Sequence, residues 1–314
     1  MTLRHTMAQA LAVALATLVA GFGGGVLPPP ASIAAAPAGA RSVLPVLPLV
    51  RRFAVGKTSD DIALVRLFSA AFHVAVDPAL SQIYLPDEYS GRLIVVRLLR
   101  GWARRTMTSV PVGLRPHGVA VDLRTHRVYV GDERGGTLSI IAGASLRVQA
   151  KVHVGRGPGG VGVAPAARLV YVVLVDEDRV VVLDAATGNV LRSIPVGKGP
   201  THLAVDAASG RAAVVNTAAG TLSVVDGVRG TAAAPVPVGV KPYNVALDSA
   251  RSLIFVASAT IPQLTVVDSR HPAVRGTLQL DMVPGAVAVA PGRRLLIVGG
   301  ANRPWVEIFS YRAL

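Results

Sequence analysis

The chain has 314 residues, of which 51% are hydrophobic and 4% aromatic, and its 32 Lys and Arg against 18 Asp and Glu give a formal net charge of +14. No cysteine is present, which excludes disulfides, thiolate metal sites and a lipidated N-terminal cysteine. The positive charge favours anionic partners, although a bias of the genome toward arginine would produce the same charge.

The N-terminal segment differs in composition from the rest of the chain. A basic start at Arg4 precedes an apolar run over residues 8–22, and a Gly/Pro/Ala stretch ends at Ala38-Gly39-Ala40. These features are typical of a secretory signal peptide with a small-residue cleavage site. The sequence therefore predicts a signal peptide over residues 1–40 and an exported protein, periplasmic or extracellular. An uncleaved membrane anchor is the alternative, because the apolar run can be extended to Leu27.

A tetrapeptide of the form Val-Pro-Val-Gly recurs through the rest of the chain with a period of 42 residues. Short β-rich runs at this period are typical of the four-stranded blades of a β-propeller. Repeats of this kind share one continuous core, so we expect residues 41–314 to form a single all-β domain. The copies begin at Val110, Val152, Ile194, Val236 and Leu278.

Each copy is followed by a proline and by an alternating strand of small residues, as the crowded inner wall of a propeller requires. In four blades this first strand ends in an aspartate. An Asp at a strand end usually accepts hydrogen bonds from the backbone of the next turn, which makes it a poor catalytic candidate. The four aspartates are Asp77, Asp122, Asp206 and Asp248.

The second strand of each unit carries a tetrad that resembles the Tyr-Val-Thr-Asn signature of the YVTN family of β-propeller repeat proteins. No tetrad is a full match, but the resemblance covers residues 51–314 through its regular spacing. It implies the propeller fold and leaves the activity open, because propellers host many unrelated functions. The tetrads begin at Tyr84, Tyr129, Tyr171, Ala213, Phe255 and Ile297.

The two ends of the repeat region predict how the ring closes. The last copy has three strands and no Val-Gly strand after them, whereas a Val-Gly strand without a preceding unit lies at residues 52–56. We expect this N-terminal strand to complete the last blade and to remove the open edges. Six blades follow from this count, with seven as the alternative.

Two insertions interrupt the period. Residues 58–72 carry several apolar side chains and predict either a short helix that forms a lid or a surface loop. Residues 97–105 place four arginines around Trp102, which suits either an anionic surface or a solvated loop.

Propeller geometry brings basic residues together at one mouth of the central channel. The loops that enter the first strands carry a ring of them, and Tyr243 and Asn244 lie beside this ring. Acidic loops between second and third strands reach the same face, so mutual ion pairing is the alternative to anion binding. The basic candidates are Lys57, Arg115, Arg156, Lys198 and Lys241.

Three histidines, His73, His117 and His202, occupy the channel ends of first strands. Imidazoles that converge from different blades near Asp87 and Asp132 would suit a divalent metal ion. The alternative is that these histidines line a wet channel without binding a metal, since no short-range ligand pair such as His-x-His is present.

Other chemistries have little support. The sequence contains no Gly-rich nucleotide loop between a strand and a helix, no thiol nucleophile and no Gly-x-Ser-x-Gly elbow. Nucleic acid is a weaker partner, because aromatic side chains are not interleaved with the basic ones. The sequence predicts a monomeric, non-catalytic binding scaffold for an anionic ligand, envelope polymer or protein, with no cofactor and no membrane span in the mature chain. A metal-dependent lyase or lactone hydrolase is the alternative.

Overall fold

The computed structural model describes residues 49–54, 73–99, 104–301 and 305–314. These residues form six antiparallel sheets, which are the blades of a six-bladed β-propeller, so the predicted fold and blade number are confirmed. No helix in the described ranges is long and apolar enough to cross a membrane. The predicted signal peptide, Lys57 and the insertion at residues 58–72 lie outside the described residues.

Each blade runs from an inner strand at the channel to an outer strand at the surface. Blade A comprises β2 (Ala75–Asp77), β3 (Gln82–Asp87), β4 (Arg92–Leu99) and β5 (Arg104–Pro111). Blade B comprises β6 (Pro116–Asp122), β7 (Arg127–Asp132), β8 (Thr137–Ala142) and β9 (Arg147–His153). Blade C comprises β10 (Pro158–Ala164), β11 (Leu169–Leu174), β12 (Arg179–Asp184) and β13 (Val190–Pro195).

The other three blades include one interrupted outer strand and the closure of the ring. Blade D comprises β14 (Pro200–Asp206), β15 (Arg211–Asn216), β16 (Thr221–Asp226) and an outer strand split into β17 (Thr231–Ala232) and β18 (Val236–Pro237). Blade E comprises β19 (Pro242–Asp248), β20 (Leu253–Ser258), β21 (Gln263–Asp268) and β22 (Ala273–Gln279). Blade F comprises β23 (Pro284–Ala290), β24 (Leu295–Gly300), β25 (Trp305–Ser310) and β1 (Leu49–Ala54), with a 3-10 turn at Pro291–Arg293.

The ring closes through strands from the two ends of the chain. The first strand, β1, pairs antiparallel with β25, and Arg52 lies opposite Glu307. The N-terminal strand thus supplies the outer strand that the last repeat lacks, as predicted. Closure covers the edge that β25 would otherwise expose to another chain.

The core lies between neighbouring blades, because both faces of every second strand are covered. All six residues of β11, β20 and β24 are buried, whereas the outer strand β9 alternates between exposed and partly exposed residues. Tetrad tyrosines bridge the blades: the hydroxyl of Tyr129 donates to the carbonyl of Ala185 at 2.8 Å, and that of Tyr171 donates to the carbonyl of Gly210. Each blade therefore depends on its neighbour for its core.

The aspartates at the ends of the first strands hold the following turns, as predicted. Asp77 accepts hydrogen bonds from the backbone N–H groups of Ala79 and Leu80, at 3.0 and 3.1 Å. It also lies 2.6 Å from Nδ1 of His126 in blade B. Equivalent backbone contacts are made by Asp122, Asp206 and Asp248.

The insertion near Trp102 lengthens a hairpin of blade A and is not a loop throughout. The strands β4 and β5 pair from Arg92 opposite Pro111 to Leu99 opposite Arg104. Residues 97–99 and 104–105 thus belong to strands, and residues 100–103 lie outside the described residues.

Candidate functional site

The loops that precede first strands and the loops that follow second strands meet at one mouth of the channel. The hydrogen bonds between them repeat every 42 residues. In each case an N–H after a second strand donates to a carbonyl just before a first strand, at 2.8–3.0 Å. This contact places both loops on the same face, as the sequence predicts. The pairs are Glu133 to Arg115, Val175 to Gly157, Thr217 to Gly199, Ala259 to Lys241 and Ala301 to Val283.

A β-bulge opens the first strand of each blade from B to F. In blade D the register shifts between Pro200 and His202, and in blade E it shifts between Pro242 and Asn244. A bulge inserts one extra residue and redirects the side chains around it. In blade E the extra residue is Tyr243, which explains how its side chain reaches the channel.

Four rings close the channel at this mouth, and we call them the channel plug: His73, His117, His202 and Tyr243. The ring centroid of His73 is 5.0 Å from that of His117 and 4.6 Å from that of His202. The His202 and Tyr243 centroids are 4.4 Å apart. Blades A and D lie on opposite sides of a six-bladed ring, so imidazoles at this separation must meet across the channel.

Burial keeps the imidazoles of His73 and His117 neutral. It lowers the pKa of His73 to about 4. Burial also lowers the pKa of His117 to about 3, and the nearby His73 and Arg115 act in the same direction. The buried Nε2 of His73 has no hydrogen-bond partner among the described residues. These two imidazoles of the plug are therefore uncharged at pH 7.

The acidic residue beside the plug is Glu88, which was not among the site residues predicted from the sequence. Its side chain is 6% exposed, and Oε1 lies 3.8 Å from Nε2 of His117. Burial raises the pKa of Glu88, and the hydrogen bond and charge of Arg115 partly oppose this effect. Arg115 Nε lies 3.2 Å from Glu88 and 3.3 Å from Glu133, so its charge is shared by two carboxylates.

The two aspartates predicted as metal ligands hold turns of their own. Asp87 accepts hydrogen bonds from the backbone of Tyr89 at 3.1 Å and from the hydroxyl of Ser90 at 2.6 Å. Asp132, which is fully buried, accepts from the backbone of Gly113 and from the hydroxyls of two residues of its own blade, Thr137 and Ser139. In the described part of the chain, no three His, Asp or Glu side chains are arranged to hold a metal ion. Metal binding stays a prediction.

The basic residues of the mouth differ in how their charge is balanced. Arg156 lies 3.7 Å from Glu177, and Arg115 is paired as described above. Lys198 and Lys241 are exposed and ion-paired with none of the described residues. Unbalanced positive charge therefore lies in blades D and E, next to Tyr243 and the half-buried Asn244.

Comparison with known proteins supports the fold and does not extend to function. No family model and no curated protein matches the chain. A solved chain of hydrazine synthase from Kuenenia stuttgartiensis superposes with a TM-score of 0.53 at 14% identity, covering 77% of this chain and 96% of that one. A likeness at this level of identity is a likeness of fold alone.

Proposed function

We propose that this protein is an exported, non-catalytic binding scaffold whose channel mouth engages an anionic ligand, an envelope polymer or a protein partner. The observation that carries the proposal is the pair of exposed lysines, Lys198 and Lys241, in neighbouring blades. They precede His202 and Tyr243, the two rings of the plug that lie 4.4 Å apart. An anionic group bound between the lysines would thus contact the plug as well.

The backbone beneath these lysines is held by side-chain hydrogen bonds between blades D and E. Thr217 donates to the carbonyl of Pro242 at 2.7 Å, and its hydroxyl also lies 2.7 Å from that of Thr201. A site on a preformed scaffold loses little conformational entropy when a ligand binds. The hydrogen bond from Thr217 to Pro242 thus holds the backbone that carries the lysines, while their exposed side chains keep the freedom to adjust to a ligand.

Charge balance points to the same part of the mouth. In blades A to C, the guanidinium groups of Arg115 and Arg156 are paired with carboxylates of the neighbouring loops. Each of these carboxylates offsets the positive charge that an incoming anion would meet. An incoming anion is therefore attracted to blades D and E, where the Asn244 amide adds a hydrogen-bond donor.

The proposal is tested with a double charge reversal, Lys198→Glu/Lys241→Glu, and a matched control, Arg147→Glu/Arg312→Glu. Both control residues are exposed and lie on the opposite face. Binding to immobilised alginate, a carboxylated polysaccharide, is measured by biolayer interferometry at several salt concentrations. We expect about a tenfold loss of affinity in the mouth variant and a much smaller loss in the control. Equal losses would mean that the net charge and not the mouth binds the polymer.

A metal-dependent lyase or lactone hydrolase is a second candidate, favoured by the convergence of three imidazoles from three blades. A bound divalent ion would polarise a carbonyl or activate water. Elemental mass spectrometry of the protein after incubation with Zn²⁺ or Mn²⁺, beside a His73→Ala/His202→Ala variant, tests this role. A stoichiometric metal that the variant loses would support it, and a protein that retains no metal would leave the scaffold as the function.

Export is tested separately by N-terminal sequencing of the protein recovered from the cell envelope or medium. The proposal expects a new N-terminus after Ala40. An intact Met1 in a cytosolic fraction would contradict it.

A further inference from the structure

The tyrosine contact that joins blade B to blade C and blade C to blade D is not made between blades D and E, where a cavity lies. In blades B and C the tetrads begin with Tyr129 and Tyr171, whose hydroxyls reach the next blade. The equivalent residue of blade D is Ala213, which is fully buried and too short to reach blade E. The space that a phenol ring fills in the two preceding blades is therefore not filled by the tetrad of blade D.

The residues of blade E that lie opposite Ala213 also differ from the residues of blade D that lie opposite Tyr171. At Gly227, opposite Tyr171, an added Cβ would lie 2.1 Å from the tyrosine hydroxyl. The residue of blade E equivalent to Gly227 is Ser269, and the residue equivalent to Gly210 is Ser252. Blade E thus carries two serines where blade D carries two glycines, and neither hydroxyl is hydrogen-bonded among the described residues.

These residues line a cavity of about 200 Å³ between blades D and E. Apolar cavities of about 150 Å³ hold a benzene molecule, so one aromatic ring fits this volume. The apolar lining comes from residues such as Ala213 and Leu247, and Ser252 and Ser269 provide the hydroxyls. The cavity opens at the ends of the first strands, on the face opposite the mouth.

The charged residues of the lining favour an anionic group at the entrance. Arg211 and Arg270 both line the cavity, and Arg270 is exposed. The carboxylate of Asp206 is engaged by the backbone of Ala208 and by the hydroxyl of Ser209, at 3.0 and 2.6 Å. Arg211 Nε also lies 3.7 Å from Oδ2 of Asp226, so its charge is partly balanced, whereas Arg270 is ion-paired with none of the described residues. The unbalanced positive charge at the entrance is therefore mainly that of Arg270.

We propose that this cavity is a binding site for a monocyclic aromatic carboxylate that carries a phenol hydroxyl. The ring would lie between blades D and E, at the position that corresponds to that of the Tyr171 ring between blades C and D. Its hydroxyl would hydrogen-bond Ser252 or Ser269, and its carboxylate would meet Arg211 and Arg270. The site is independent of the channel mouth, since the length of a first strand, roughly 20 Å, separates the two faces.

The test uses 4-hydroxybenzoate as the probe, with binding measured by isothermal titration calorimetry on the full chain. The double variant Ala213→Tyr/Ser269→Gly recreates the Tyr171–Gly227 arrangement and fills the cavity from within. We expect it to weaken binding at least about tenfold, whereas Arg147→Glu/Arg312→Glu, which reverses two exposed charges outside the cavity lining, should bind the probe like the unmodified protein. Binding that survives the filled cavity, or no binding up to about 10 mM, would overturn the proposal.

A second variant tests the site if Ala213→Tyr/Ser269→Gly does not fold. Arg211→Ala/Arg270→Ala leaves the cavity open and removes both guanidinium groups. It should weaken the binding of 4-hydroxybenzoate about tenfold and leave that of neutral phenol unchanged. Equal effects on the two probes, or no effect on either, would contradict the proposed orientation and with it the site.

Discussion

The imidazole of His73 in blade A and that of His202 in blade D meet across the central channel with their centroids 4.6 Å apart. Their strands start on opposite sides of the ring, so the two side chains span the channel between them. His202 is 5% exposed. Protonation of His73 would place a charge among buried groups, which makes the plug sensitive to acid.

We therefore expect stability to fall as the pH is lowered below about 6.5, the ordinary pKa of histidine. The folded-state pKa of His73 is lowered to about 4 by burial, so the unfolded chain takes up a proton first. The stabilisation is complete above the unfolded pKa and is lost as the pH falls from 6.5 toward 4, on the order of 3 kcal/mol for this residue. Urea unfolding followed by circular dichroism at pH 7.5 and pH 5 measures the part of this loss that is complete at pH 5, about 2 kcal/mol.

A His73→Gln/His117→Gln variant is the control for this prediction. The carboxylates of the protein titrate in both chains, so their contribution cancels in the comparison. The variant should lose much less stability between pH 7.5 and pH 5 than the unmodified protein. Equal losses would show that groups outside the plug cause the acid sensitivity.

Gly118→Ala should destabilise the ring at the contact between blades B and C. An added Cβ would lie 2.1 Å from the carbonyl oxygen of Gly159, a backbone atom that cannot rotate away. Overpacking of this kind costs about 1–3 kcal/mol or more. Gly292→Ala is the matched control, because its Cβ would meet nothing within 4 Å. Thermal unfolding of both variants should show a lower midpoint for Gly118→Ala alone.

Tyr311→Phe should weaken the joint between blades E and F. The fully buried hydroxyl of Tyr311 donates to Oδ2 of Asp248 at 2.7 Å. Losing a buried hydrogen bond to a carboxylate costs about 1–3 kcal/mol. Tyr89→Phe removes the same hydroxyl at a side chain that is 86% exposed, and should change the free energy of unfolding by less than about 0.5 kcal/mol. If the two variants are equally stable, the Tyr311 contact does not hold the joint.

Deletion of residues 1–54 should leave the ring open. It removes the strand that pairs with β25 and exposes an unpaired strand edge, which promotes association between chains. Size-exclusion chromatography with light scattering should show aggregates or oligomers. Deletion of residues 1–40 retains the strand, so that protein should elute as one compact species. A monomeric product from the longer deletion would show that the ring holds without its N-terminal strand.

Much of the fold could be predicted because a propeller blade is encoded locally. Alternating small residues, turn residues and a period of 42 residues are all properties of adjacent positions. The roles of Asp77 and its equivalents were also predictable, since their hydrogen bonds reach only two or three residues along the chain. The closing strand could be predicted because the last repeat lacks a Val-Gly strand and residues 52–56 supply one without a preceding unit.

The site was predictable only in part. The three histidines and Tyr243 were found from their shared position at the start of first strands, but their mutual contacts depend on the bulges and on the diameter of the ring. Glu88 was not distinguished from its neighbour Asp87, because both belong to the same loop. Only the turn geometry directs Asp87 to the backbone and Glu88 toward His117.

The sequence by itself determined the architecture of this protein, its blade number and the face on which the basic residues lie, because each follows from a repeat of fixed length. Only the tertiary structure decided which of those charges are balanced, that the histidines close the channel, and that Ala213 leaves a cavity between blades. These features arise where side chains from different blades meet. The order of residues along one strand carries no information about the distance across a closed ring.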